Sequence, residues 1–213
     1  MKKIIASEND VKAMLDRLAC EIVERYPNLN DYCLVGIKTR GAYLAKRLQE
    51  RIEKITGTAP ALGELDITFY RDDLTLVAQD PQMKSTSLGT EIEGKTVILA
   101  DDVLYSGRTV LCALEALAQF GRAGKVELLV MVDRGHHKLP IYSEFTGRHV
   151  HTEADDIIHV HLKEKDGDDC IVHNIGGQHE VKSNRFVLPT GNYPVGKIKF
   201  PCKRGRNILK YSM

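Results

Sequence analysis

The most constraining feature of the chain is a run of four apolar residues that leads directly into two adjacent carboxylates. Residues 97–100 read Val-Ile-Leu-Ala, Asp101 and Asp102 follow, and a short loop then opens a segment with apolar residues at helical spacing. An apolar run without alternation is typical of a strand that is buried on both faces of a parallel sheet. We therefore predict a strand, a loop and a helix, with the acid pair at the carboxyl end of the strand, where open α/β sheets bind ligands.

The loop after the acid pair has the composition of an anion-binding turn. It ends in Ser106, Gly107, Arg108 and Thr109, just where the predicted helix begins. The first turn of a helix leaves backbone N–H groups unpaired at the positive end of the helix dipole, and glycine lets the backbone approach a ligand closely. Carboxylates beside such a turn suit a sugar phosphate, with the acids on two ribose hydroxyls and the turn on the 5′-phosphate. The alternative is a strand that ends in a solvated Asp pair and an ordinary helix cap.

A second basic turn follows an earlier predicted strand, residues 32–37. This strand runs into Lys38, Thr39, Arg40 and Gly41, which open another predicted helix. The planar guanidinium of arginine binds phosphate oxygens in pairs, and backbone N–H groups at the turn add further donors. The turn therefore predicts a diphosphate site, whereas the simpler interpretation is a helix start with incidental basic residues.

Residues 97–109 resemble the signature of type I phosphoribosyltransferases, enzymes that bind 5-phosphoribosyl 1-diphosphate. The signature has four hydrophobic residues, two acids, three mostly apolar positions and Ser/Thr-Gly-x-Thr, and this chain departs from it only at Tyr105, where many members carry a smaller residue. Further motifs, in the same order, narrow the resemblance to the bifunctional pyrimidine operon attenuator / uracil phosphoribosyltransferase family. They are residues 35–41, 63–74, 132–136 and 139–141, and the resemblance runs from about residue 4 to residue 175.

The resemblance implies an enzyme that converts uracil and 5-phosphoribosyl 1-diphosphate to UMP and diphosphate with Mg²⁺, which the substrate mainly holds. It implies catalytic roles for Asp101 and Asp102 beside the developing positive charge of the ribose, and for Arg40 at the leaving diphosphate. In the same way it implies that Arg134 and the backbone of Ile158 lie at the uracil pocket. The full predicted substrate-binding set is Lys38, Thr39, Arg40, Arg71, Asp72, Asp101, Asp102, Val103, Leu104, Tyr105, Ser106, Gly107, Arg108, Thr109, Arg134 and Ile158.

Two other functions stay open at this point: a phosphoribosyltransferase for another base, and a nucleotide-sensing regulator without catalysis. The resemblance also implies a second activity, in which a UMP-loaded dimer binds a leader RNA hairpin and attenuates transcription of a pyrimidine operon. By the same resemblance we expect a homodimer or a higher assembly.

The RNA-binding motif of the family is only partly present. The Thr-Arg-x-x-His of the first helix reads Asp-Arg-Leu-Ala-Cys over residues 16–20, so only Arg17 is retained, and residues 153–156 are acidic. Phosphate neutralisation dominates nucleic-acid affinity, and these changes oppose it. Arg17 and Arg148 are the candidate RNA-binding residues, and retention of attenuation is an open hypothesis.

Strands that alternate with amphipathic helices predict an α/β fold of the type I phosphoribosyltransferase kind, with a mostly parallel central sheet flanked by helices. One helix spans residues 7–26 with Ser7 as its N-cap, and the helix after Arg40 ends at Gly57. The expected buried face of this second helix comprises Leu44, Leu48, Ile52 and Ile55. Further strands are expected at residues 62–70 and 126–132, and a hairpin at the sheet's margin at residues 157–163 and 170–175.

Residues 74–93 are mostly polar and show little periodicity. Such a stretch is either a flexible lid over the reacting centre, with Arg71 and Asp72 near its hinge, or a mere connector.

Charge divides the chain unevenly, although its net charge is only +1. Residues 176–213 carry eight Lys or Arg and one acid, Glu180, and the residues before them hold 22 basic and 28 acidic side chains. We therefore predict a body at residues 1–175, near −6, and a basic C-terminal extension at residues 176–213, near +7, that is loosely ordered or packed on the surface. The resemblance implies that the body is the phosphoribosyltransferase domain.

The cysteines and histidines indicate the cellular compartment and whether a metal site is expected. The five cysteines are scattered and lack a C-x-x-C pair, which predicts reduced thiols in a cytoplasm. The sequence has neither an apolar run long enough for a membrane span nor the apolar core of a secretory signal. Histidines repeat at i, i+2 at residues 149/151 and 159/161; we favour edge-strand histidines over a metal site, because no cysteine is interleaved with them.

Overall fold

The computed structural model describes residues 1–68 and 88–176, all of which lie in the first of the two units into which the chain divides, residues 1–179. Its strands are β1 (Lys2–Ala6), β2 (Tyr32–Ile37), β3 (Ala61–Leu65), β4 (Thr96–Leu104), β5 (Lys125–Asp133), β6 (Phe145–His149), β7 (Ile157–His161) and β8 (Cys170–Asn174). Its helices are α1 (Glu8–Arg25), α2 (Arg40–Thr56), α3 (Arg108–Leu117) and α4 (Lys163–Asp166). Among the helices of these described residues, none combines the length and the apolar character needed to cross a membrane.

The central sheet has five strands in the order β3-β2-β4-β5-β6, and every neighbouring pair is parallel. β4 lies in the middle and is buried on both faces, as its unbroken apolar run predicts. Ile98 joins the core that α1 and α2 cover, whereas Val97 and Leu99 join the core that includes α3. The predicted α/β fold with a parallel central sheet is confirmed.

A second sheet is formed by β1, β8 and β7 in that order, with both pairs antiparallel. The predicted hairpin is therefore present, but its position at the margin of the central sheet is wrong. β8 pairs instead with the N-terminal strand, where Lys2 lies opposite Asn174 and the Ile175 N–H donates to the Met1 carbonyl at 2.8 Å.

The first helix begins as predicted. The Ser7 hydroxyl accepts a hydrogen bond from the Asp10 N–H at 3.3 Å, and the Asp10 carboxylate accepts one from the Ser7 N–H at 2.8 Å. This reciprocal capping box pairs two donors that the first turn would otherwise leave unpaired.

The second helix is buried along most, but not all, of the predicted face. Leu44, Leu48 and Ile52 are fully buried, and Gly57 ends the helix with a φ of 78°. Ile55, predicted to be buried, is 50% exposed. A helix of 17 residues is about 25 Å long and a strand of six is about 20 Å, so the last turn of α2 extends past the end of β2.

The strand predicted at residues 62–70 is shorter than expected, because β3 ends at Leu65 and residues 69–70 lie outside the described residues. Of the predicted lid at 74–93, residues 74–87 also lie outside them. Its last part is not a lid: Leu88 and Ile92 are buried in the core that includes α3, and the Leu88 carbonyl accepts a hydrogen bond from Glu64.

Candidate active site

The acid pair lies on the central strand, close to its carboxyl end. β4 continues to Leu104, so Asp101 and Asp102 are its sixth and seventh residues. Asp101 is only 7% exposed, and its carboxylate accepts a hydrogen bond from the Asp102 N–H at 2.9 Å. The Asp102 carboxylate accepts one from the Val103 N–H, also at 2.9 Å. These hydrogen bonds with the backbone fix the two carboxylates near the carboxyl end of β4.

Burial controls the ionisation of the pair. Burial raises the pKa of Asp101 well above its usual range, and the negative charge of Asp102 raises it further. Burial also raises the pKa of Asp102, although the positive charge of Arg40 opposes this rise. The two carboxylates therefore share a site in which arrival of a cation or of positive charge on a ligand favours the ionised forms.

The acid pair and the basic turn face one cavity of about 390 Å³. The cavity lies at the carboxyl edge of the central sheet, as expected of a ligand site in an open α/β fold. It is lined by Ile37, Lys38, Thr39, Arg40, Ile67, Thr68, Asp101, Asp102, Val103 and Thr109. The structure thus brings together the basic turn and the acid pair, which are separated by about sixty residues in the sequence.

The basic turn is held against the sheet by its backbone. The Lys38 N–H donates to the Leu65 carbonyl at 2.9 Å, and the Lys38–Thr39 peptide bond is cis. The Lys38 ammonium lies 3.9 Å from the Asp66 carboxylate and 4.0 Å from that of Glu64, so its charge is directed toward the end of β3.

Two glycines let the start of α2 pack closely on the central sheet, Gly36 from β2 below it and Gly41 against the strand of the acid pair. A Cβ on Gly41 would lie 2.2 Å from the Ala100 carbonyl oxygen, and one on Gly36 would lie 2.4 Å from the Ala42 Cα. Both contacts are with backbone, which side-chain motion cannot relieve. Arg40 therefore begins α2 in direct backbone contact with the strand that carries Asp101, a role of these glycines that the sequence motifs did not reveal.

The Arg40 side chain is bound to another acid in this structure. Its Nε donates to Asp166 Oδ2 at 3.2 Å and its Nη2 to Asp166 Oδ1 at 2.8 Å, a two-point ion pair. This pair raises the pKa of Arg40 and lowers that of Asp166. Nothing in the local sequence indicates Asp166 as a partner of Arg40, because the two residues are 126 positions apart.

The predicted phosphate turn has the expected local form. Gly107 is the N-cap of α3 with a φ of 87°, and its carbonyl accepts the Leu111 N–H at 2.9 Å. The Ser106 hydroxyl accepts the Arg108 N–H at 3.4 Å. Thr109 lines the cavity, whereas Ser106, Gly107 and Arg108 are not among its lining residues.

Arg134 packs against the same loop. Its guanidinium lies 4.1 Å from the centre of the Tyr105 ring, a cation–π contact, and the residue is only 7% exposed. It donates to the Asp156 carbonyl at 2.7 Å and to the Thr152 hydroxyl at 3.1 Å. The chain from Asp156 leads directly into β7, where Ile158 is buried in the core.

Arg71 and Asp72 lie outside the described residues, whereas both predicted RNA-binding arginines lie within them. Arg17, on α1, donates to the carbonyls of Thr146 at 3.0 Å and Gly147 at 2.7 Å on β6, the edge strand of the central sheet. Arg148 lies on the same strand and donates to the Ile5 carbonyl. Arg17 thus contacts the strand on which Arg148 lies, and each side chain is partly committed to backbone oxygens.

Comparisons with known proteins agree with this fold and these motifs. Residues 3–164 match the phosphoribosyl transferase domain family. The chain is 51% identical over 171 residues to the bifunctional protein PyrR of Elusimicrobium minutum, covering 80% of this chain and 96% of that protein. It is 49% identical over 170 residues to the bifunctional protein PyrR of Brevibacillus brevis, covering 80% and 95%.

Solved structures show the same fold at low sequence identity. A hypoxanthine phosphoribosyltransferase from Staphylococcus aureus has a TM-score of 0.60 at 18% identity and covers 81% of this chain and 92% of its own. The hypoxanthine phosphoribosyltransferase of Trypanosoma cruzi has a TM-score of 0.61 at 12% identity, covering 80% and 95%. The chain therefore belongs to the phosphoribosyltransferase family and, within it, to the bifunctional PyrR proteins, which confirms the family predicted from the sequence motifs.

Proposed function

We propose that the protein is a uracil phosphoribosyltransferase that converts uracil and 5-phosphoribosyl 1-diphosphate to UMP and diphosphate. The observation that carries the proposal is the single cavity of about 390 Å³ that the acid pair and the basic turn share. This volume is in the range of small-molecule sites. The acid pair supplies negative charge for the ribose, and the basic turn supplies positive charge for the attached diphosphate. Membership of the PyrR family supports uracil as the base.

In the proposed reaction the bond between C1′ of the ribose and the diphosphate oxygen breaks as a bond to a uracil nitrogen forms. The uracil N–H proton leaves to water, and positive charge develops on the ribose during the displacement. Asp101 and Asp102 lie where this charge develops and stabilise it without forming a covalent bond. Their backbone hydrogen bonds hold them in place before the substrate arrives, so little reorganisation is needed.

The leaving diphosphate is assigned to the basic turn, through Lys38, Thr39 and Arg40. Arg40 releases Asp166 and transfers its two-point contact to diphosphate oxygens, which have matching geometry. The carboxylates of Asp101 and Asp102 are hard oxygen donors of the kind that Mg²⁺ prefers, and they would share the ion with the diphosphate. When bound, Mg²⁺ neutralises charge on the leaving group.

The base pocket is assigned to the far side of the phosphate turn. Val103, Leu104, Tyr105, Ser106, Gly107, Arg108 and Thr109 would hold the ribose phosphate, as in the family signature. The uracil pocket would then be lined by the Arg134 guanidinium, which is fixed against Tyr105, and by the backbone near Ile158. Arg71 and Asp72 are assigned to substrate binding, near the hinge of the lid expected from the polar stretch that follows them.

A panel of bases tests the proposal. The full chain is incubated with 5-phosphoribosyl 1-diphosphate, Mg²⁺ and, separately, uracil, hypoxanthine, guanine and adenine, and the nucleotide product is quantified. We expect UMP as the dominant product. Turnover of a purine in preference to uracil would contradict uracil as the substrate. Binding of the donor without turnover of any base would identify a nucleotide-sensing regulator.

A second candidate function is UMP-dependent binding of a pyrimidine leader RNA, supported by family membership and by the position of Arg148 on β6, the strand that Arg17 contacts. Binding is measured against salt with and without UMP, in the full chain and after removal of residues 176–213. We expect UMP to increase affinity, and a double Arg17→Ala/Arg148→Ala variant to reduce it and its salt dependence. Absence of binding at low salt would end this second function.

The proposed cellular location and assembly rest on the same family membership. Cys20, Cys33 and Cys170 are free thiols, which fits a reducing cytoplasm. A homodimer is the expected assembly, and analytical ultracentrifugation across a concentration series measures it; a monomer at all concentrations would contradict it.

A further inference from the structure

Three side chains with metal-binding atoms meet at the second sheet, and none of them lines the active-site cavity. His161 Nδ1 lies 3.1 Å from Asp168 Oδ1, and Cys170 Sγ lies 3.3 Å from Asp168 Oδ2. The nitrogen, oxygen and sulfur atoms all lie within 4.8 Å of one another. No step of the proposed uracil reaction uses any of the three.

The fold brings these residues together in a defined way. His161 and Cys170 are directly opposite each other on β7 and β8, so their side chains project from the same face of the sheet. The connection between the strands is the short helix α4, which ends at Gly167 with a φ of 88°. This left-handed residue reverses the chain and returns Asp168 to His161.

The three donor atoms are grouped closely enough for side-chain rotation to form a tetrahedral zinc site. Zinc–ligand bonds of about 2.0–2.3 Å in tetrahedral geometry separate the donor atoms by about 3.3–3.6 Å. The two observed separations, 3.1 and 3.3 Å, run to different oxygens of Asp168, and one donor atom from each residue lies within 4.8 Å of the other two. Binding therefore requires rotation of the side chains to draw the three donor atoms toward the metal. Three protein ligands would leave the fourth position for water.

The local charges favour a cation at this point. Arg47 pairs with both Glu164 and Asp169, and Arg40 pairs with Asp166, so these three neighbouring acids have arginine partners. Within residues 1–68 and 88–176, the ion-pair partner of Asp168 is instead His161. A bound cation would neutralise the one acid of this turn that lacks an arginine.

The burial of the three residues provides a route for an ion. Cys170 is buried at the base of the cluster, His161 is partly buried, and Asp168 is 61% exposed at its rim. The cluster is therefore open on one side and lined by sulfur on the other. In the sequence no cysteine is interleaved with the histidine pairs, which favoured edge-strand histidines; the antiparallel ladder brings Cys170 opposite His161 from the neighbouring strand.

We propose that His161, Asp168 and Cys170 bind a borderline-soft divalent transition metal, with Zn²⁺ as its representative. The thiol proton that Cys170 now donates to Asp168 is released to solvent when the sulfur binds the metal. A thiolate and an imidazole discriminate against Mg²⁺, which prefers oxygen ligands, so the site is separate from the Mg²⁺ of the transferase reaction. The proposal does not depend on the proposed function.

The test uses the full chain after chelator treatment, kept reduced without added thiol and titrated with Co²⁺. We expect one equivalent of Co²⁺ to produce a thiolate-to-metal charge-transfer absorption, and Zn²⁺ to remove that band stoichiometrically. Millimolar Mg²⁺ is expected to leave the band unchanged. A chain that gives no such band with Co²⁺ overturns the proposal, as does a band that Mg²⁺ displaces.

Variants locate the site. Cys170→Ser is expected to abolish the band, and His161→Gln and Asp168→Asn to weaken Zn²⁺ binding by at least about tenfold, because even outer-shell partners of a metal are worth 10- to 100-fold. Cys20→Ser and His151→Gln, which change an exposed thiol and an exposed imidazole elsewhere, serve as matched controls and are expected to bind normally.

Stability gives a readout that does not depend on Cys170 alone. Zn²⁺ is expected to raise the melting temperature of the wild type but not of Asp168→Asn, whose exposed side chain can be changed without disturbing the core. Retention of the band in Cys170→Ser, its loss in Cys20→Ser, or an equal Zn²⁺-induced shift in Asp168→Asn would each place the metal elsewhere and overturn the proposal.

Discussion

The ion pair between Arg40 and Asp166 makes a quantitative prediction about binding of the diphosphate donor. Arg40 has to leave Asp166 before it can contact a diphosphate, so part of the binding free energy is consumed in breaking this pair. Replacement of Asp166 by Asn keeps the shape of the side chain, and the acceptor for the Leu162 N–H, while it removes the charge. We therefore expect Asp166→Asn to bind 5-phosphoribosyl 1-diphosphate more tightly than the wild type.

The size of the effect follows from the exposure of the pair. The Arg40 side chain is 32% exposed and that of Asp166 is 18% exposed, which places the pair between a surface ion pair and a buried one. Exposed pairs are worth at most about 1 kcal/mol, and charged hydrogen bonds about 1.5–3 kcal/mol when well shielded. Solvent screening of Arg40 favours about 1 kcal/mol, which corresponds to about a fivefold lower Kd.

Isothermal titration with the donor and Mg²⁺ measures this Kd, and initial-rate kinetics measure KM for the donor. The gain is expected to shrink as salt rises, because screening weakens the pair that is being removed. Asp169→Asn is the matched control, since Asp169 lies in the same segment but pairs with Arg47 instead. A Kd that stays the same or rises in Asp166→Asn would show that Asp166 positions Arg40 for binding rather than competing with the diphosphate.

Three further predictions concern turnover, packing and pH. Asp102→Asn is expected to lower kcat by at least about 100-fold in steady-state assays, with a melting temperature close to that of the wild type, because it removes charge that stabilises the transition state. Gly41→Ala is expected to lower the free energy of unfolding by about 3 kcal/mol or more in urea titrations, because its Cβ would lie 2.2 Å from the Ala100 carbonyl oxygen. Hydrogen bonds from the N–H groups of Gly176 and Glu153 and from His173 lower the pKa of Asp156 to about 2. This carboxylate stabilises the fold fully above its unfolded pKa of about 3.9, and the stabilisation is lost as pH falls toward 2, so Asp156→Asn should flatten that part of a stability–pH profile.

Each of these three has a result that would contradict it. Wild-type turnover in folded Asp102→Asn would remove that residue from the mechanism. Wild-type stability in Gly41→Ala would mean that the contact with Ala100 relaxes at little cost. An acid-unfolding profile that is the same with and without the Asp156 carboxylate would mean that its hydrogen bonds persist in the unfolded chain.

The sequence predicted best those features whose signal is local. Ser7 and Asp10 are three residues apart and form the capping box that starts α1. The unbroken apolar run before Asp101 predicts a strand with both faces buried, and β4 is the central strand of its sheet. The pairing of the acid pair with the basic turn also followed, because parallel strands place their carboxyl ends at one edge.

Features that arise from tertiary pairing were not predictable in the same way. β6 reads Phe-Thr-Gly-Arg-His, which carries little strand signal, and it exists because β5 offers it an edge. β1 is short and mostly exposed, and it is defined by its pairing with β8. The contacts of Arg40 with Asp166 and of His161 with Cys170 join residues that have no periodic relation in the sequence.

The close contact at Gly36 and Gly41 has a consequence for how this scaffold can change its substrate. Because backbone touches backbone there, the span from the acid pair to the basic turn is fixed by the main chain and not by any side chain that could be exchanged. Tyr105 and Arg134 meet instead through their side chains, so a substitution there changes this contact without altering that span. To redirect the proposed base specificity, Gly36 and Gly41 should therefore be kept, and Tyr105 and Arg134 should be randomised.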